Sequence, residues 1–222
     1  MIQLLYEATL ALHAVFVGYV AAGTVYVAVQ AVRRVDDPIA ATTQTRLPFM
    51  LGCGITAGIA PLLFLQLLHQ RRFYTANLLL GPRWLAIVPA LVVGFYALYA
   101  VKQLPRFRTA AAVLGAACFA FVAWSWSELH ELSLADGEWT AFYAAGERTF
   151  ASAGIAARFL VFGGGMATLF ATVASWQPEG TARRLAAIAL VGRVASIAGG
   201  ISTASFPCGR SAVTTRSRIA SS

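Results

Sequence analysis

FMLGCGITAGIAPLLFLQLLHQRRFYTANLLLGPRW, residues 49–84, is the stretch around which this chain is organised. It is an apolar span interrupted by Gly52, Gly54, Gly58 and Pro61, with a polar exit at His69 and Gln70. An Arg71-Arg72-Phe73-Tyr74 run follows, then a second apolar run at 78–80 that leads into Gly81-Pro82-Arg83-Trp84. A helix that only faces lipid needs neither the prolines and glycines nor Gln66. In hydrocarbon such residues are tolerated where neighbouring helices or a cavity re-satisfy the backbone. The remaining segments are therefore expected as helices around this one, with a bend near Gly58 and Pro61, where proline removes a backbone donor.

Composition sets the class. The chain is 59% apolar and 12% charged, with a mean hydropathy of +0.69; soluble domains carry about 25% charged residues. A bilayer core of about 30 Å needs about 20 apolar residues per helix. Segments 8–32, 47–68, 84–101, 109–126, 159–176 and 185–202 approach that length. The predicted fold class is all-α: a polytopic integral membrane helical bundle of about six transmembrane helices over residues 1–202. No basic residue precedes the first segment, which is read as a retained helix rather than a cleaved signal. The sixth carries Arg193 at its middle, a position that costs roughly 2.5–3.5 kcal/mol on insertion scales. That residue is expected to face protein or a wet cavity, or the segment does not span. Residues 203–222 are rich in Ser, Thr and Arg without periodicity and read as a disordered basic tail.

With the N-terminus outside, the inner connections hold Arg33, Arg34, Arg46, Lys102, Arg106, Arg108, Arg183 and Arg184. The outer ones hold Arg71, Arg72, Arg83, Arg148 and Arg158 before the tail. The positive-inside rule reads this as N-out. The net charge of +8 is spread along the membrane flanks, which suits lipid headgroups and excludes a nucleic-acid surface. Cys53, Cys118 and Cys208 form neither a covalent haem motif nor a zinc spacing.

Apart from the carboxylates, His13, His69 and His130 are the side chains able to ligate haem or carry a proton near neutral pH. All three are expected toward the outer surface. His13 is the deepest and shares its helix face with Phe16, Val17, Val20 and Thr24, an apolar wall that would suit a porphyrin. It is the first candidate for a haem ligand, and His69 the second; no metal other than haem iron is implied. A structural histidine bonded to a neighbouring helix is the plainer alternative. Arg71, Arg72, Tyr74, Thr75 and Asn77 form the one dense polar cluster at a helix exit. Their donors could meet the two oxygens of a quinol headgroup, with His69 as proton acceptor; an interfacial elbow, with Arg snorkelling and Tyr in the aromatic belt, is the plainer reading. Trp124 and Trp126, with Glu128, Glu131 and Trp139 beyond, read as the outer belt and a solvated loop.

Gly58, Pro61, Leu62, Leu63, Phe64 and Gln66, followed by Phe73, Tyr74 and Thr75, resemble a segment of bacterial membrane proteins related to subunit I of cytochrome bd-type quinol oxidases. Leu12-His13 and Ala157-Arg158-Phe159-Leu160 are similar too, although those relatives continue the second with histidine where this chain has Val161. The resemblance implies a bacterial inner membrane, partner subunits of a respiratory complex, quinol and haem b. The departure at Val161 leaves His13 without a partner ligand, unless His69, Met166 or another subunit supplies one. The chain is also short and has no long hydrophilic quinol-binding loop, so at most it is an oxidoreductase subunit that needs partners. Laying Leu12-His13 on Leu160-Val161 pairs Thr24 with Thr172, in two helices that each carry clustered small residues, Ala21-Ala22-Gly23 and Gly163-Gly164-Gly165. That pairing predicts that the fifth helix returns against the first through its glycine face. The functional expectation is an electron-transfer membrane subunit. The alternatives are a non-catalytic transmembrane anchor that has lost its cofactor, and a small permease using Pro61, Gln66 and Arg193.

Overall fold

A computed structural model describes residues 1–176 and 182–205, and every regular element in them is helical. Helix α1 spans Ile2–Arg33, α2 Pro38–Leu68, α3 Gln70–Leu80, α4 Pro82–Leu85 and α5 Ile87–Gln103. They are followed by α6 (Arg108–Leu134), α7 (Trp139–Ala144), α8 (Ala153–Ala174) and α9 (Ala182–Ser205), with short 3-10 turns at Pro105–Phe107 and Asp136–Glu138. Six helical stretches are long and apolar enough to cross a membrane. Large apolar side chains such as Phe49, Leu67 and Leu190 stand exposed on the outside of the bundle, as a hydrocarbon solvent permits. The chain is a multi-pass membrane protein.

The turns follow from local chemistry. Arg34 takes a left-handed conformation (φ 54°) and Val35 N–H closes back on the Gln30 carbonyl, a helix-ending pattern. Asp37 then caps α2, accepting from the N–H groups of Ile39 and Ala40, with Pro38 in the first turn where its missing donor costs nothing. For that reason α2 begins at Pro38 rather than near residue 47. It continues unbroken through Pro48 and Pro61 to Leu68. Gly81, at φ 52° and ψ −123°, makes the corner between α3 and α4 that a side chain would strain.

Three other expectations need correction. The helix of the fourth span runs past Trp126 to Leu134, and the expected outer loop is mostly helix. The tail expected from residue 203 starts inside α9, which reaches Ser205; the rest of it lies outside the described residues. The fifth helix, α8, does return against α1, in parallel, but not through its glycines. Gly18 receives Leu169 and lies over Met166, and Gly23 receives Phe170. Phe170 packs its ring 5.5 Å from Tyr19 and 5.6 Å from Tyr26.

The glycines of α8 serve α9 instead. A Cβ on Gly164 would collide with the Gly192 carbonyl and Ser196, whereas Gly163 and Gly165 meet nothing within 4 Å. Ser196 Oγ crosses the seam to donate to the Val161 carbonyl at 3.0 Å. Small residues admit this backbone-to-backbone approach. Val161 consequently faces Gly199 of α9.

A main core joins α1, α2, α5, α6 and α8 around Tyr19, Val27, Leu47, Leu98 and Phe170. A second core gathers Phe73, Leu80, Leu129, Leu132, Phe142 and Phe150 at the end of the bundle that carries the N-terminus.

Candidate functional site

His13 lies in the seam between α1 and α2. Its Nδ1 is 2.9 Å from the Gly54 carbonyl oxygen. A carbonyl only accepts, so Nδ1 carries the proton and Nε2 keeps its lone pair. The ring fills the notch left by Gly58: a Cβ there would come 2.7 Å from Cε1 and 2.9 Å from Nδ1. The same seam holds Phe16 and Val17 in van der Waals contact with the Gly54 position. Thus part of the wall proposed for a porphyrin, Phe16 and Val17, is covered by α2. Nε2 of this half-buried ring is the atom left to ligate a b-type haem, while α2 occupies the flank at Gly54 and Gly58. Val161, at the matching level of α8, points to α9 and not toward His13.

The three histidines lie toward the end of the bundle that carries the N-terminus but do not share one site. His69 and His130 lie within electrostatic reach of one another at the N-terminal end of the bundle. His13 sits opposite Gly58, about 16 Å of helix rise from His69 along α2. His69 is exposed. The Nδ1 of His130 is buried and has no hydrogen-bond partner among the described residues.

The quinol candidates spread around α3 rather than forming one pocket. Arg71 turns toward Asp136 at 3.6 Å and lies 5.6 Å from the Trp139 ring centroid. Tyr74 donates to Gln66 Oε1 at 3.3 Å. Arg72 is exposed, Thr75 half-buried, and Asn77 Oδ1 is buried without a partner. Of this set only Arg71 and Arg72, beside His69, line the open depression of about 350 Å³ at the α2–α3 corner.

What organises this end of the bundle is a layer of ion pairs that the sequence reading passed over as loop acids. Glu128 is 1% exposed and holds Arg83 Nε at 2.6 Å through Oε2, while its Oε1 accepts from the Phe150 N–H at 2.7 Å. One helical turn later Glu131 pairs with Arg158 Nε at 2.6 Å. Arg148 adds a bond to the Leu79 carbonyl, and Trp84 and Trp126 stack beside the layer at 5.4 Å. The charges are therefore tied across α4, α6, the segment after α7, and α8. Residues 116–136 contain neither Gly nor Pro; that uninterrupted run was the visible signal that α6 continues. A matching clamp holds the opposite end, where Asp37, 1% exposed, accepts from Tyr26 Oη at 2.9 Å and Arg184 at 2.6 Å.

Among the described residues no group of three or more His, Cys, Asp or Glu side chains is arranged to hold a metal ion. No family model matches the chain, and neither a curated protein nor a solved structure matches it significantly.

Proposed function

We propose that this chain is a membrane subunit of a respiratory electron-transfer complex and serves there as a transmembrane anchor rather than as the carrier of haem. The respiratory setting rests on the resemblance of the 58–75 segment and the Leu12-His13 helix to relatives of cytochrome bd subunit I. The observation that carries the anchor role is the state of His13. Its ring is spent as an interhelical lock between Gly54 and Gly58, and the residue where relatives place a second histidine is turned onto α9. The buried carboxylates are likewise each committed to an arginine, which favours a load-bearing role over proton transfer. The second reading, haem on His13, draws on Nε2, the ring nitrogen not bonded to α2. The membrane orientation that accords with this role is N-out, since Arg33, Arg34, Lys102 and Arg106 gather at the end opposite His69 and His130.

An absorption spectrum of the purified protein, expressed with haem available and reduced with dithionite, separates the two. The anchor reading expects no b-type α or Soret band from the chain alone. Stoichiometric bands that vanish in His13→Ala would overturn it and establish the haem reading. Val161→His is expected to add no haem, because that position faces α9.

A further inference from the structure

Helix α9 packs chiefly along α8, and the small side of the helix, Gly192, Ser196 and Gly199, is used up in that seam. Its other side presents Leu190, Val191, Val194 and Ile197, each 59–68% exposed. Arg193 stands among them, exposed, at the centre of the 184–202 span, and has no carboxylate within ion-pairing distance among the described residues. Lipid alone is a poor neighbour for it. A guanidinium at mid-bilayer costs roughly 2.5–3.5 kcal/mol even on insertion scales. Half of a 30 Å core is about 15 Å, farther than an arginine extends to reach the headgroups by snorkelling. Apolar residues around it meanwhile keep the helix in the hydrocarbon.

We infer that the outward face of α9 is a docking surface for a transmembrane helix of a different chain, one that carries a carboxylate at mid-membrane depth opposite Arg193. A guanidinium matches a carboxylate in geometry and charge, and desolvation by lipid strengthens the pair. A second copy of this chain does not satisfy it. All 9 acidic residues are Glu7, Asp36, Asp37, Glu128, Glu131, Asp136, Glu138, Glu147 and Glu179, none within the middle of a span. A two-fold contact through α9 would also set one Arg193 against the other. The inference rests on α9 lying in the bilayer and on the chain being one subunit among others; it is independent of haem content, so the spectrum above and this test fail separately.

The full chain, donor-labelled and reconstituted in bicelles, is mixed with acceptor-labelled synthetic transmembrane peptides of Leu and Ala bearing Glu, Leu or Lys at the centre. Energy transfer is expected to report association with the Glu peptide on the order of tenfold tighter than with the Leu peptide. Arg193→Leu, a replacement on an exposed face that should leave the fold intact, is expected to erase the difference. Arg193→Glu is expected to move the preference to the Lys peptide. Equal binding of the Glu and Leu peptides would overturn the inference. So would self-association of the wild-type chain that Arg193→Leu abolishes. Rapid labelling of Arg193→Cys by a water-soluble maleimide, at the rate of Val35→Cys, would do the same by placing the residue in a wet path.

Discussion

Replacing Gly58 with alanine should destabilise the protein only while His13 is present. The added Cβ would sit 2.7 Å from His13 Cε1 and 2.9 Å from Nδ1, against an ordinary contact of at least 3.4 Å, so the ring must retreat by about 0.7 Å (3.4 − 2.7). A retreat of that size away from α2 stretches the 2.9 Å bond to Gly54 beyond useful hydrogen-bond length. Loss of an interhelical bond in a membrane costs about 0.6 kcal/mol on average and up to about 1.7. Overpacking adds about 1 kcal/mol or more. Alanine returns at most about 1 kcal/mol of helix propensity. The net expectation is a loss of about 1–2 kcal/mol. In a His13→Ala background the clash and the bond are both gone and the propensity term alone remains, so Gly58→Ala should be neutral or stabilising. Unfolding in mixed detergent micelles, followed by far-UV circular dichroism for the four members of the cycle, gives the coupling directly. A coupling below about 0.5 kcal/mol, the usual range for independent sites, would refute the lock.

Arg83→Ala should cost about 3 kcal/mol in the same assay, because it leaves Glu128 buried and unpaired; adding Glu128→Gln should recover part of that loss. Asp37→Ala removes a helix cap, the Tyr26 bond and the Arg184 pair together, and a loss of about 2–4 kcal/mol is expected. Asp37→Asn keeps the cap and should be milder by about 1 kcal/mol. Cysteines introduced at Val35 and Pro105 should label from the cytoplasmic side and one at Asp136 from the outside, in a background lacking Cys53, Cys118 and Cys208; all three labelling from one side would reject the N-out bundle.

The spans were legible because apolar length is a property of each segment by itself. What was not legible is what depends on a partner distant in the chain. Glu128 and Glu131 look like loop acids until Arg83 and Arg158 are seen to reach them, although the Gly- and Pro-free run 116–136 already allowed α6 to continue past Trp126. Gly163, Gly164 and Gly165 announce a close approach but not the neighbour, and the fold gives Gly164 to α9 rather than to α1. His13 could be recognised as a deep polar residue. Its meaning came from Gly54 and Gly58, which the sequence presented as breakers in another helix. The start of α2 was the one boundary that local chemistry already spelled out, in Asp37-Pro38, ahead of the apolar run used to place it.

Two nitrogen side chains that can bear charge lie deep in the spans, and the fold treats them oppositely. His13 is answered within the chain: the Gly54 carbonyl accepts its N–H and the Gly58 notch makes room for its ring. A polar group satisfied in this way adds specificity to the α1–α2 contact and demands nothing further. Arg193 is given no answer, although a shift of one residue along α9, to the position of Gly192, would have aimed it into the seam with α8. That seam is instead built of glycine and serine too tight to admit a side chain. Excluding Arg193 from the inside while keeping it at mid-depth makes sense if its counter-charge arrives from outside the chain. The site to examine for function is therefore the lipid-facing surface of α9, where the cost of a bare guanidinium falls only when another helix is present.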